Sequence, residues 1–150
     1  MRKMRGGLEV PFVKTLLTGY RVSDLERSET FYRAVGFREI GRAPLADGTT
    51  LVMLNVPGDG DFVTLELVHA PAAGALVVGN GFSHIAVQVD DLAATVAELT
   101  GKGIACGPVE YPGGADGPVV SNLRDPDGYR IELVQWPPGH ADGMTSADFR

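Results

Sequence analysis

A pattern written twice constrains this chain more than any other feature. The first copy runs Tyr20-Arg21-Val22-Ser23-Asp24-Leu25 and reaches Gly36; the second runs Val87-Gln88-Val89-Asp90-Asp91-Leu92 and reaches Gly103. Val22 to Val89 is 67 positions, as is Gly36 to Gly103. Further on, Thr64-Leu65-Glu66-Leu67-Val68 matches Arg130-Ile131-Glu132-Leu133-Val134 at an offset of 66, a loss of one residue that a loop absorbs easily. Applied to the first strand, the 67-residue offset maps His84 onto Leu17. Four equivalent positions result: Leu17, Glu66, His84 and Glu132. Three of them can bind a metal, and the fourth cannot.

At 150 residues and 44% apolar content, the chain can bury a core as one domain or as two half-size modules sharing one. A net charge of −6 and a pI near 4.9 argue against nucleic acid, whose phosphates reward a basic face. No apolar run is long enough to span a bilayer, and the early cations Arg2, Lys3 and Arg5 precede no signal-peptide core. A cytoplasmic location is expected. The single Cys106 gives neither an intramolecular disulfide nor a thiolate metal spacing, and reads as an inert filler.

Each repeat reads as strand, helix, then three strands. The apolar run 13–22 is a buried strand, with Ser23 expected to cap the following helix and Glu26 to complete a capping box. Leu25, Ser28, Phe31, Tyr32 and Val35 recur at helical spacing, and Gly36 stops the helix. Strands follow near 37–42, 49–56 and 61–69. The second copy gives a strand at 82–89, a helix from about Asp91 capped by Asp90, and strands near 104–110 and 118–123. Asp125-Pro126-Asp127-Gly128 is a turn opening the last strand, 129–136. The expected organisation is an N-terminal arm over 1–12, a first βαβββ module over 13–70, a linker over 71–81, a second module over 82–136, and a flexible or partner-contacting tail over 137–150. The fold class is α+β: two βαβββ modules related by internal repeat, forming half-barrel cavities for a metal or ligand.

This chain resembles the vicinal oxygen chelate superfamily, which includes glyoxalase I, extradiol dioxygenases, methylmalonyl-CoA epimerase, fosfomycin-resistance enzymes and bleomycin-binding proteins. Three stretches carry the resemblance: Arg21 to Ser28 with Phe31-Tyr32 and Gly36-Phe37; Ser83-His84-Ile85-Ala86-Val87 with Val89-Asp90-Asp91; and Asp125 to Leu133. With the equivalent positions of the repeat, the resemblance covers residues 17 to 134. The scaffold hosts many chemistries, so the resemblance specifies the fold more tightly than the reaction.

Strand periodicity supports a metal site independently. Leu17, Gly19 and Arg21 line one face of their strand, and His84, Ala86 and Gln88 line the matching face. Glu66 lies between Leu65 and Leu67, and Glu132 between Ile131 and Leu133, so both carboxylates point away from a packed layer. Two carboxylates and a neutral imidazole offset a divalent cation, and suit Mn, Co, Ni, Zn or Fe(II). The competing readings are a hydrogen-bonded core histidine and idle, solvated carboxylates. His69, one residue out of phase with Glu66, is expected to face outward, His140 to be solvated, and Trp136 to cover an apolar edge or subunit contact.

The resemblance to glyoxalase I implies Glu66, His84 and Glu132 as metal ligands, Glu132 doubling as the base that moves a proton between adjacent carbons. A bound cation acidifies the C–H beside a coordinated carbonyl and stabilises the resulting oxyanion. Arg21 stands where that family binds a substrate carboxylate. Two departures matter. Leu17 replaces the His or Gln expected as first ligand, which weakens or removes the metal; Ala70 replaces the Asn expected four residues after the metal Glu, which argues against glutathione as carrier. The expected function is a glyoxalase I-like, divalent-metal-dependent lyase or isomerase acting on a small substrate that chelates through two oxygens. Its counterpart is a metal-free protein of the bleomycin-resistance type that traps a drug between subunits. The superfamily resemblance implies that two modules complete a site, paired either within one chain or across subunits. A homodimer is expected, and in glyoxalase-like dimers positions 17 and 66 of one chain face 84 and 132 of the other.

Overall fold

The repeat read from the sequence is visible in the registers of two sheets. The computed structural model describes the backbone of residues 2–5 and 8–150, and the side chains of residues 11–150. In chain order the elements are β1 (Arg2–Arg5), β2 (Leu8–Pro11), β3 (Thr18–Arg21), α1 (Leu25–Val35), β4 (Arg38–Pro44), β5 (Thr50–Asn55), β6 (Leu65–His69), β7 (Ile85–Gln88), α2 (Leu92–Gly101), β8 (Val119–Arg124) and β9 (Arg130–Gln135). β1 and β2 pair with each other. The first module orders its strands β3-β6-β5-β4, and the second β7-β9-β8. In each, the first strand runs parallel to the last. Gly19 pairs with Glu66, and Ala86 pairs with Glu132. These pairs are the two copies of one position, which gives the α+β, two-module architecture its internal symmetry.

Alternation along β6 and β9 sorts the faces. Leu65, Leu67, Ile131 and Leu133 are fully buried beneath the helices, with Tyr32, Leu92 and Leu99 among their neighbours in the core cluster. Each such side chain contributes roughly 1.5–3 kcal/mol by leaving water. Glu66 and Glu132 therefore stand on the opposite, less buried faces.

Both helices start one residue later than the sequence suggested. Asp24 caps α1, accepting from the Arg27 N–H at 3.0 Å, and Asp91 caps α2, accepting from the Ala94 N–H at 3.0 Å. Ser23 is not a cap, because its hydroxyl and N–H both donate to Asp127 in the other module. The expected strand over 104–110 is a correction too. There only Glu110 bridges Val120, while the Gly107 N–H donates to the Asn122 carbonyl. Pro108 has no N–H to continue a ladder, and a Cβ at Gly107 would meet that carbonyl oxygen at 3.1 Å.

The modules meet through aromatic and acidic side chains. The Tyr20 ring centroid lies 4.3 Å from that of Tyr129 and 5.5 Å from that of Phe82. The Tyr20 and Tyr32 hydroxyls are hydrogen-bonded, and Tyr32 donates onward to Asp125 Oδ2 at 2.7 Å. Residues 140–148 return over the second sheet. Gln88 at the end of β7 donates to Asp142 and accepts from the Trp136 indole and the Gly143 N–H. His140, expected in solvent, stacks on Trp136 at 4.2 Å and contacts Asp148 Oδ1 through Nε2 at 2.5 Å. No helix among the described residues is long and apolar enough to cross a membrane.

Candidate functional site

β9 is the central strand of its sheet, flanked by β7 and β8. Its outward face presents Arg130, Glu132 and Val134 in succession, by simple alternation. Ala86 on one side and Asn122 on the other are the register neighbours of Glu132. The small Ala86 leaves the carboxylate room, and His84, just before β7, reaches it from the same edge. His84 Nε2 lies 3.9 Å from Glu132 Oε1, with the two side chains 32% and 23% exposed. An imidazole nitrogen and a carboxylate oxygen thus converge on one open face.

Two further contacts shape this face. Arg130 Nη2 donates to His84 Nδ1 at 3.0 Å, and the Ser83 hydroxyl stands 2.8 Å from the same nitrogen. Two buried atoms close by have no hydrogen-bond partner: Arg130 Nε, a donor, and Asn122 Oδ1, an acceptor. Arg130 and Asn122 were not singled out from the sequence. The two-residue alternation from Glu132 is the signal that could have found Arg130.

Glu66 occupies the matching place in the first module, at the centre of its sheet between Gly19 and Met53. A Cβ on Gly19 would stand 3.3 Å from Glu66 Oε1, so the carboxylate leans over that glycine. Leu17 holds the position corresponding to His84 and brings no donor atom. Within one chain, His84 and Glu132 come together and Glu66 does not join them. Among the described residues no group of three or more His, Cys, Asp or Glu side chains gathers.

Arg21 closes the first sheet's outward face. Its Nη2 donates to the carbonyls of Gly74 at 2.7 Å and Ala70 at 3.3 Å, while its Nε is buried with no partner. It lines an open cleft of about 320 Å³ with Ser23, His69 and Leu76. His69, expected to face outward, is half-buried on the wall of that cleft. Cys106 packs against the core, and burial pushes its thiol pKa up.

An imidazole nitrogen and a carboxylate oxygen are donor types that divalent ions take, and two such donors converge here within one chain. Two ligands held about 2.1 Å from one tetrahedral ion stand about 3.4 Å apart, close to the 3.9 Å between His84 and Glu132.

Comparison with known proteins places the chain in a family. Residues 14–133 match the family model of the glyoxalase/bleomycin resistance protein/dioxygenase superfamily. The chain is 32% identical over 126 residues to a probable lactoylglutathione lyase of Synechocystis sp., covering 80% of this chain and 93% of that one. It is 32% identical over 129 residues to the lactoylglutathione lyase of Neisseria meningitidis, covering 82% and 91%. Among solved structures, the trypanothione-dependent glyoxalase I of Leishmania major superposes with a TM-score of 0.65 at 30% identity, covering 83% of this chain and 87% of that one.

Proposed function

The chain belongs to the glyoxalase/bleomycin resistance protein/dioxygenase superfamily, and from that premise we propose that it is a glyoxalase I-like, divalent-metal-dependent lyase or isomerase. It moves a proton between adjacent carbons of a small substrate that chelates through two oxygens. The observation that carries this reading is the convergence of His84 Nε2 and Glu132 Oε1 at 3.9 Å on the outward face of the second sheet.

His84 and Glu132 would hold the metal from one chain, and Glu66 from a second copy would complete the set in a homodimer. The ion, one of Ni, Co, Mn, Zn or Fe(II), would polarise the substrate oxygens and offset charge developing on them. Glu132 is the base: its carboxylate stands half-buried on the outward face, beside the small Ala86, and takes the proton at one carbon before returning it at the next. Arg21 binds an anionic group of the substrate. The buried Nε and its place on the cleft wall support that role, and its two carbonyl contacts fix the guanidinium in place.

A second reading is favoured by Leu17, which leaves the first module without a nitrogen ligand. A metal-free protein would then hold a cationic drug between subunits, with the carboxylates supplying the counter-charge.

The test offers metal-loaded protein a panel of 2-oxoaldehyde hemithioacetals made with glutathione and other thiols. Isomerisation should occur with at least one. Glu132→Gln should lose about 10²–10⁴-fold in turnover, the ordinary contribution of a general base, with an unchanged melting profile. A fully active Glu132→Gln removes the residue from the mechanism. Absence of turnover across the panel would favour the binding protein.

A further inference from the structure

We propose that Arg130 acts as a latch on His84, holding the imidazole in the tautomer that cannot ligate a metal, so that metal binding must displace it. This rests on the reading of His84 and Glu132 as ligands. The chemistry follows from donor and acceptor counts. A guanidinium has five N–H donors and no acceptor. Where Arg130 Nη2 approaches His84 Nδ1 at 3.0 Å, that nitrogen must carry its lone pair. The ring proton of a neutral imidazole then sits on Nε2, the nitrogen that faces Glu132 Oε1. A metal needs the Nε2 lone pair, and so requires the opposite tautomer.

The structure also holds what that opposite tautomer needs. The Ser83 hydroxyl, 2.8 Å from Nδ1, can accept the Nδ1 proton once Arg130 has left. His84 thus has two competing partners on one nitrogen. Arg130, a donor only, selects the metal-free state; the Ser83 hydroxyl can serve either tautomer, and is the partner left to accept the Nδ1 proton in the metal-bound state. The position of Arg130 is fixed by register. Ile85 pairs with Ile131 in the parallel β7–β9 ladder, which sets His84 beside Arg130. Two residues further along β9, Glu132 shares the face of Arg130, so both meet His84 from the same strand.

The experiment uses the full chain in three forms: wild type, Arg130→Met and Ser83→Ala. Long-range proton–nitrogen NMR reads the His84 tautomer in the absence of metal, with His84→Gln identifying its signals. Titration calorimetry with Ni(II) and Zn(II) reads affinity. The expected result is an Nε2–H ring in metal-free wild type, a shift towards Nδ1–H in Arg130→Met, and metal affinity about 10–100-fold higher in that variant, the range over which outer partners of a ligating histidine act. Ser83→Ala should weaken binding. Opposite signs from two neighbours of one nitrogen would not arise from a general loosening of the site.

An Nδ1–H ring in wild type, or metal binding that Arg130→Met leaves unchanged, overturns the latch while the metal centre stands. Absence of uptake in all three proteins, with an Nε2–H ring, overturns the metal reading and with it the latch's part in metal binding.

Discussion

The Tyr32 hydroxyl donates to Asp125 Oδ2 at 2.7 Å, joining α1 of the first module to the turn before β9 in the second. The carboxylate also accepts from the backbone N–H groups of Asp127 and Tyr129, so one buried side chain both shapes that turn and binds the other module. Tyr32→Phe removes the donor and leaves part of a buried carboxylate unsatisfied. Such a loss costs about 1–3 kcal/mol. Urea denaturation should show that decrease as a lower midpoint with an unchanged slope.

The same carboxylate makes stability depend on pH. Burial pushes Asp125 up, against the lowering by its hydrogen bonds from Tyr32 and the turn. The folded state therefore binds the proton more readily than the unfolded chain does. Its contribution to stability is fully present below the ordinary Asp value and is lost as pH rises through the raised one. Asp125→Asn should flatten the pH profile of the melting temperature in that window. An unchanged profile would place the dependence elsewhere.

His140 gives a second, separable titration. Contacts with the Ala141 carbonyl and Asp148 raise its pKa, so the charged form favours the docked segment and loses that preference as pH rises through the raised value. Trp136 is the sole tryptophan and stacks on His140, so fluorescence should report a step with a midpoint above 6.5 that vanishes in His140→Ala.

Leu17→His would restore the nitrogen that the first module lacks. Metal affinity should rise by at least about tenfold if positions 17, 66, 84 and 132 converge between two copies. Unchanged affinity in calorimetry would separate the half-sites.

Much of this was legible because repetition carries its own check. The offsets of 67 and 66 align Gly19 with Ala86 and Glu66 with Glu132, and the registers pair them accordingly. What local sequence could not supply was competition among partners. Ser23 and Asp24 can each cap a helix, and Asp24 does so because Asp127, 104 positions away, engages Ser23. Arg130 drew no attention in the sequence, because only the parallel ladder sets it beside His84. The apolar run 104–110 suggested a strand, yet Pro108 left it a single bridge. The segment 137–150 is polar and glycine-rich, and its return to Gln88 depends on side-chain contacts with no periodic signature.

Metal uptake tests the central claim most directly. Purified, tag-free protein is dialysed against Ni, Co, Mn, Zn and Fe(II) in turn, and its metal content is measured by elemental mass spectrometry. The account predicts near-stoichiometric retention of at least one of these ions, lost in His84→Ala and in Glu66→Ala. No retention under any loading, in wild type or in Arg130→Met, would contradict it.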